Sequence, residues 1–322
     1  MDMLKFSRPA QCGRRLAFRR LYSSAPTKSR VQLVAELRKI SNAPIIKARQ
    51  ALDESNGDFE AAVRWLEEDM RQSGAAKAEK VKDRVTSEGL ISISVLEGGM
   101  GSHISSGSGR VKASIIELNC ESDFVSRTDE FTRLASEISN IVAQSQTQQQ
   151  HTTSPFTSLP VENLLQLSHE SGTVGSLITN LIARIGENIS LRRAMLLTSP
   201  NNSDSTYRVA SYLHQGRVGA LDLIALRPSQ SSLFNDNSFV GDLEKLERAL
   251  ARQTAGFMTL GINEKRNPED ELETVLYRQP FMMLGGEHAS MPVRKVLDQW
   301  QEKWGLEEFG VSDFVRWEVG RD

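Results

Sequence analysis

Near residue 88 the spacing of apolar residues changes, and that change limits the folds open to this chain. Up to about residue 73, apolar side chains recur every three to four positions, the period of a helix. From Leu90 to Leu96 the order is Leu-Ile-Ser-Ile-Ser-Val-Leu, with a repeat of two. A repeat of two belongs to a strand with one face toward a core. A helical module therefore precedes a strand-rich body. The fold class is α+β: an N-terminal three-helix bundle, then a core of two small antiparallel sheets flanked by helices. At 322 residues the chain is long enough for two or three domains.

The module spans residues 30–74. Ser29 and Gln32 have capping-box spacing ahead of Leu33, Val34, Leu37 and Ile40. Ser41-Asn42-Ala43-Pro44 ends the first helix, and Pro44 suits a first helical position. Ile45, Ile46, Ala48, Ala51 and Leu52 form the apolar face of the second helix. Asn56-Gly57 ends it, since both residues tolerate positive φ. Asp58 caps a third helix with Phe59, Ala62, Val63, Leu66 and Met70, and Gly74 closes the unit. Residues 75–87 form a charged, Ala/Lys-rich connector whose composition is compatible with helix.

The body divides into two strand-then-helix halves, 88–186 and 187–322. In the first, strands at Leu90–Leu96 and Val111–Leu118 flank a Gly/Ser-rich loop at 98–109. A helix follows at Asp129–Ala143, then a Gln/Ser/Thr/Pro-rich loop at 144–160 and a helical stretch at 161–186. In the second, strands are expected at Asn188–Thr198, Ser205–Leu213 and Val218–Leu226. Helices follow at Val240–Thr254 and Val293–Trp304, and a last strand at Asp313–Val319.

The net charge of −2 conceals an asymmetry. Residues 1–30 hold eight Lys or Arg and one acid, Asp2. The rest holds 31 basic and 40 acidic residues, a net of −9. An acidic body repels nucleic acid. The basic start, interleaved with Leu4, Phe6, Leu16, Phe18 and Leu21, has the composition of an organelle presequence, with cleavage expected after Tyr22. On that reading the mature chain is expected in the mitochondrial matrix; the alternatives are a disordered basic tail or an RNA-binding arm, which the acidic body disfavours. No run reaches the about 18 apolar residues of a membrane helix. Cleavage would remove Cys12 and leave Cys120 without an internal partner.

The sequence lacks the signatures of covalent catalysis and of nucleotide binding. It has no phosphate-binding loop of the Gly-x-x-x-x-Gly-Lys-Ser/Thr type and no Gly-x-Ser-x-Gly elbow. His103, His151, His169, His214 and His288 lack metal-ligand spacing, and two cysteines cannot build a structural zinc site. Cys120 lies on an apolar strand without a nearby base, which reads as a buried thiol. The expectation is a protein with no cofactor, no metal and no nucleotide site of its own. One segment stands out: Asn119-Cys120-Glu121-Ser122-Asp123-Phe124-Val125 turns a strand into a helix. At such a corner Phe124 either plugs the core, with Asp123 capping the helix, or the pair projects toward a partner.

Six segments, in order, carry a family resemblance. They are Leu33–Arg38 with Lys47–Leu52 and Asn56-Gly57-Asp58; Glu117–Val125; Ile185–Ile189 with Arg192-Arg193; Tyr212-x-His214 with Arg217-Val218-Gly219; Gln279-Pro280-Phe281; and Phe314–Gly320. Together they resemble the elongation factor Ts family, in its mitochondrial branch, over most of residues 31–320. These factors exchange the guanine nucleotide on elongation factor Tu. Two departures are evident. The segment between the helix at 240–254 and Gln279 is too short for a long coiled-coil hairpin, and the chain stops soon after Gly320.

The resemblance implies a UBA-like first module and one partner, mitochondrial elongation factor Tu, nucleotide-free or GDP-bound. It implies that Asp123 and Phe124, followed by Val125, insert near the Mg²⁺ and phosphate site of the GTPase and loosen GDP. Arg38, Pro44, Ile45 and Ile46 would grip its nucleotide domain, with Ile185 and Gly186 at or near the same contact, and His214 belongs to the fourth block. The competing function is a ubiquitin-binding adaptor using the three-helix module. Against it, the loop after the first helix is Ser41-Asn42-Ala43-Pro44 and not the Met-Gly-Phe/Tyr type of ubiquitin binders.

Overall fold

The computed structural model describes residues 28–41, 43–101, 109–145, 154–170, 172–200, 205–264, 267–268 and 271–321. The expected presequence and most of the Gly/Ser-rich and Gln-rich loops lie outside these residues. The chain forms two compact units, divided between Glu68 and Asp69.

The first unit contains α1 (Arg30–Ser41), α2 (Ile45–Glu54) and the start of α3 (Phe59–Val81). Its local signals act as the residue types require. Ser29 N–H donates to Gln32 Oε1 (2.8 Å) and Gln32 N–H to Ser29 Oγ (3.4 Å), which completes the capping box. Asn56 has a φ of 51°, and Gly57 N–H donates to Leu52 O (2.8 Å), the wide bond of a Schellman turn. Asp58 Oδ1 accepts from Ala61 N–H (3.1 Å) and starts α3. Leu37, Ala43, Ala48, Ala51, Leu52, Ala62 and Leu66 form the core.

Three expectations need correction here. Ile45 and Ile46 are exposed, so they do not share the core with Ala48 and Leu52. Pro44 is the cap residue just before α2 and not its first helical residue. The third helix does not stop at Gly74 but continues into the connector as far as Val81.

That continuation has a packing reason within the second unit. A side chain at Gly74 would meet Ala183 Cβ at 3.2 Å, so glycine lets α3 lie close against α7 (Val174–Ile185). One turn further on, Lys77 Nζ donates to Ala183 O (2.6 Å) near the C-terminal end of α7, where a cation is favoured.

The rest of the second unit is layered. Its first sheet contains β1 (Glu88–Glu97), β2 (Lys112–Cys120), β3 (Phe156–Leu159) and β6 (Ile189–Thr198), in the order β1-β2-β6-β3. Its second contains β7 (Thr206–His214), β8 (Val218–Pro228) and β9 (Leu306–Glu318) in sequence order. All pairings in the two sheets are antiparallel. One face of the first sheet packs on α5 (Asp129–Gln144) and α7, through Ile116, Leu118 and Cys120. Its other face meets the second sheet, where Ile91, Ala113, Ile115 and Leu197 pack with Val209, Leu221, Leu223 and Trp317. The far face of the second sheet is covered by α8 (Asn237–Gly256) and α9 (Val293–Trp304). The unit is thus a helix–sheet–sheet–helix stack.

The α+β architecture is as the sequence implies, but the division into halves at residue 187 does not separate the sheets. β6, expected in the second half, pairs along β2 from Lys112↔Thr198 to Cys120↔Ile189. The expected helical stretch at 161–186 is split into α6 (Val161–Leu165) and α7 by a small hairpin, β4 (Ser168–His169) with β5 (Gly172–Thr173). β3 arises inside the expected loop at 144–160. The final strand begins at Leu306 and not at Asp313.

Charged groups inside the stack escape pattern reading. Arg208 and Glu247 form a buried two-point ion pair (2.7 and 3.0 Å). Glu117 is fully buried. It accepts from Arg192 Nη1 (3.2 Å), Arg193 Nε (2.8 Å) and Gly320 N–H (2.8 Å), tying the first sheet to the end of β9. Removing one member of a buried pair leaves the other charge uncompensated, at a cost of about 3–5 kcal/mol. Glu247→Ala, which strands Arg208 inside the stack, is therefore expected to lose stability of that order in urea unfolding at neutral pH.

Asp222 on β8 is fully buried. Its Oδ2 accepts from Thr254 Oγ1 (3.0 Å), and its Oδ1 has no partner among the described residues. Burial pushes this carboxyl up from 3.8 to about 7, against the smaller opposing effect of the Thr254 bond. Between those values the unfolded chain has released a proton that the folded chain still holds. Stability therefore falls as pH rises from about 4 to 7, by about 1.4 kcal/mol per pH unit from this group. Unfolding free energies of Asp222→Asn across that window are expected to lack this slope.

Candidate functional site

β2 ends at Cys120, inside the helix-side core. The next residues leave that core within one turn. Ser122 caps α4 (Asp123–Ser126), its Oγ accepting from Val125 N–H (3.3 Å). Thr128 then caps α5, its Oγ1 accepting from Phe131 N–H (3.3 Å). The short helix is thus wedged between a buried strand and a long buried helix. Its sides face different ways: Val125 is 7% exposed, whereas Phe124 is 82% exposed. Of the two readings of the corner, the core plug fails for Phe124. Asp123 is not the cap either. It occupies the first helical position and pairs with Arg127 (3.1 Å) at the rim.

The corner is held by a second segment. Ser122 donates twice to Glu187, from N–H to Oε2 (3.1 Å) and from Oγ to Oε1 (2.8 Å). In the other direction, Asn188 N–H donates to Glu121 Oε1 (2.6 Å), which Arg84 Nη1 also approaches (3.4 Å). Gly186 makes this possible by taking a φ of 84° as the C-terminal cap of α7. A side chain there would meet open space, so the glycine is required by backbone conformation and not by crowding within the chain. Ile185 is partly buried against the helix-side core. The sequence points to Ile185 and Gly186, but the groups that reach the corner are the Glu187 carboxylate and the Asn188 backbone N–H. A signal was present, since Gly186-Glu187-Asn188 lies inside the Ile185–Ile189 block. The cross-bonding required the fold.

Beside the corner runs a groove of about 1020 Å³. It is lined by Asp123, Ser126 and Arg127 on one side, by β1, and by Leu213, Gln215 and Gly216 of the β7–β8 turn on the other. Ile91 N–H donates to Gly216 O (2.7 Å), which fixes that turn against the β1 edge. His214 stands exposed at the end of β7, sharing a 3.4 Å hydrogen bond with Tyr212 Oη. The groove thus gathers Asp123 and the His214 turn around one depression. Arg38, Pro44, Ile45 and Ile46 belong to the first unit. There Ile46 is 79% exposed, and Arg38 Nε donates to Ala43 O (3.4 Å) across the α1–α2 corner.

A family model described as "Elongation factor TS" matches residues 121–274, beginning at the corner itself. Mitochondrial elongation factor Ts of Laccaria bicolor is 43% identical over 321 aligned residues, covering 94% of this chain and 94% of its own length. The chain belongs to the elongation factor Ts family. The mitochondrial elongation factor Ts of Coprinopsis cinerea is 40% identical, with 99% of this chain and 98% of the relative covered. A Postia placenta relative named mitochondrial elongation factor Ts 2 is 36% identical over 94% of this chain.

Beside the corner, Cys120 is a buried thiol held in its protonated form. Burial above all, then the nearby Glu187 and Glu88 carboxylates, pushes its thiol up to about 12, and its Sγ donates to Ser122 O (3.2 Å). The thiolate is the reactive form, so the native protein should be inert at this position. At pH 8, labelling of Cys120 by a thiol reagent in protein lacking Cys12 is expected only as fast as the chain unfolds, and at once in denaturant.

Proposed function

We propose that this translation elongation factor promotes release of GDP from mitochondrial elongation factor Tu, with Phe124 and Asp123 as the inserted tip. The carrying observation is the exposure of Phe124 on a four-residue helix whose neighbour, Val125, is anchored in the core. A large ring held in water has no stabilising role in its own fold, and it loses that solvent contact when it enters a partner. Family membership supplies the partner, and the mitochondrial names of the relatives support action in the matrix. A ubiquitin adaptor would account for the first unit only, whereas the relatives align with nearly the whole chain.

No covalent step is required. Exchange follows if the factor binds nucleotide-free elongation factor Tu more tightly than the GDP-loaded form, and the coupling is reciprocal. Each 1.4 kcal/mol of difference changes affinity about tenfold, so a few contacts suffice. In this reading Phe124 displaces apolar packing near the Mg²⁺ and phosphate site. Asp123, prepaired with Arg127, keeps the tip in register. The groove and His214 receive the adjoining surface of the GTPase, together with Ile185 and Gly186. Arg38, Pro44, Ile45 and the exposed Ile46 of the first unit add a separate grip on its nucleotide domain.

Phe124→Ala and Asp123→Ala should slow release of labelled GDP from mitochondrial elongation factor Tu, Phe124→Ala by at least about tenfold, the loss of one hot-spot contact. Stability should stay within about 0.5 kcal/mol of the parent, as for other exposed positions. A folded Phe124→Ala protein that releases GDP at the parent rate would remove the wedge.

A further inference from the structure

We propose that Glu121 and Glu187 are positioning residues for exchange: a crossed pair of carboxylates that fixes the direction in which Phe124 leaves the fold. The inference rests on Phe124 being the inserted group. A helix of four residues cannot hold its own direction, because one turn closes too few hydrogen bonds to offset the entropy of forming it. Something outside α4 must hold it. On its buried side Val125 does so, packed in the helix-side core and with its carbonyl accepting from Thr128 Oγ1 (2.8 Å) at the start of α5.

The remaining constraint comes from segments 121–122 and 187–188, which are far apart in sequence. Each supplies a carboxylate, and each receives the other's carboxylate at a backbone N–H. Glu187 takes both donors of Ser122 (3.1 and 2.8 Å), and Glu121 takes the N–H of Asn188 (2.6 Å). The result is a closed ring of bonds around the corner, with charged acceptors that make each bond stronger than a neutral one. The ring is itself anchored. Asn188 Nδ2 donates to Lys82 O (3.1 Å) and Arg84 O (2.8 Å), so the 187–188 segment cannot drift with the tip. Ser122 joins the ring to the helix, since the hydroxyl that donates to Glu187 also accepts from Val125 N–H (3.3 Å). Loss of either carboxylate frees the corner to tilt, and a tip displaced by about 1 Å no longer meets the geometry on which exchange depends.

The test uses the full chain with mitochondrial elongation factor Tu, and reads the maximal rate of GDP release and the factor concentration giving half of it. Glu187→Gln retains size but sets an amide N–H₂ against donors that need an acceptor. It is expected to lower the maximal rate about tenfold and leave the half-maximal concentration within about twofold, a loss confined to the exchange step. A merely destabilised factor would do the reverse, because fewer folded molecules shift the half-maximal concentration and leave the plateau intact. Glu121→Gln, on the opposite limb, should show the same split and serves if Glu187→Gln folds poorly. Both are measured where circular dichroism shows a folded chain.

Phe124→Ala separates the two ideas. A slow Phe124→Ala beside folded Glu187→Gln and Glu121→Gln proteins at the parent plateau would overturn the positioning role and leave the wedge standing. A Phe124→Ala protein at the parent plateau would overturn the wedge, and this inference with it. In the double variant, Glu187→Gln should add nothing to the loss from Phe124→Ala. Additive losses would show that the carboxylate acts by some other route.

Discussion

The pairing of β2 with β6 is the interaction on which the site depends. β2 lies between β1 and β6, faces the helices with Ile116, Leu118 and Cys120, and faces the second sheet with Ala113 and Ile115. It is covered on both faces and bonded on both edges, so it has no freedom of its own. Its last residue leads directly into Glu121, Ser122 and the exposed tip. β6 begins at Ile189, beside Cys120 in the register, and the residues just before it are Glu187 and Asn188. The strand register therefore brings the two corner segments side by side. A shift by one residue would turn each side chain to the opposite face and undo that alignment.

The recognisable sequence blocks perform two kinds of work. The corner block and the Ile185–Ile189 block build the tip. Others hold the stack together. Arg193 bonds to Glu117, lies 4.4 Å from the Trp317 ring centre, and so joins the first sheet to β9. Gln279 and Phe281 are buried beneath α8 and α9, where Gln279 Nε2 donates to Thr259 Oγ1 (3.0 Å) and Glu273 O (2.9 Å). A fixed sequence pattern is thus as readily a packing requirement as a contact surface. Exposure separates them, with Phe124 at one extreme and Phe281 at the other.

Much of the fold was legible in the residues because local rules govern it. The Ser29–Gln32 box, the Asn56-Gly57 stop and the Asp58 start depend on groups within a few positions of one another. The helices at Asp129–Gln144 and Val293–Trp304 follow from apolar residues at a helical period with one face toward a core. The same rules misassigned Ile45 and Ile46, since an apolar stripe reports a surface that could be covered, not one that is. They also ended α3 at Gly74, where the glycine serves a close helix crossing instead of a stop.

The residues alone determined that a helical module precedes two antiparallel sheets, that the Asp123-Phe124 pair sits at a strand-to-helix corner, and that Cys120 lies on an apolar strand. Only the tertiary structure decided that β6 joins the first sheet, that Glu117, Asp222, Arg208 and Glu247 lie buried, that Phe124 points to water, and that Glu121 and Glu187 cross-brace the corner. The reason is physical. Periodicity and capping are set by neighbours along the chain, whereas burial and hydrogen bonding between residues 65 positions apart are set by which strands pair.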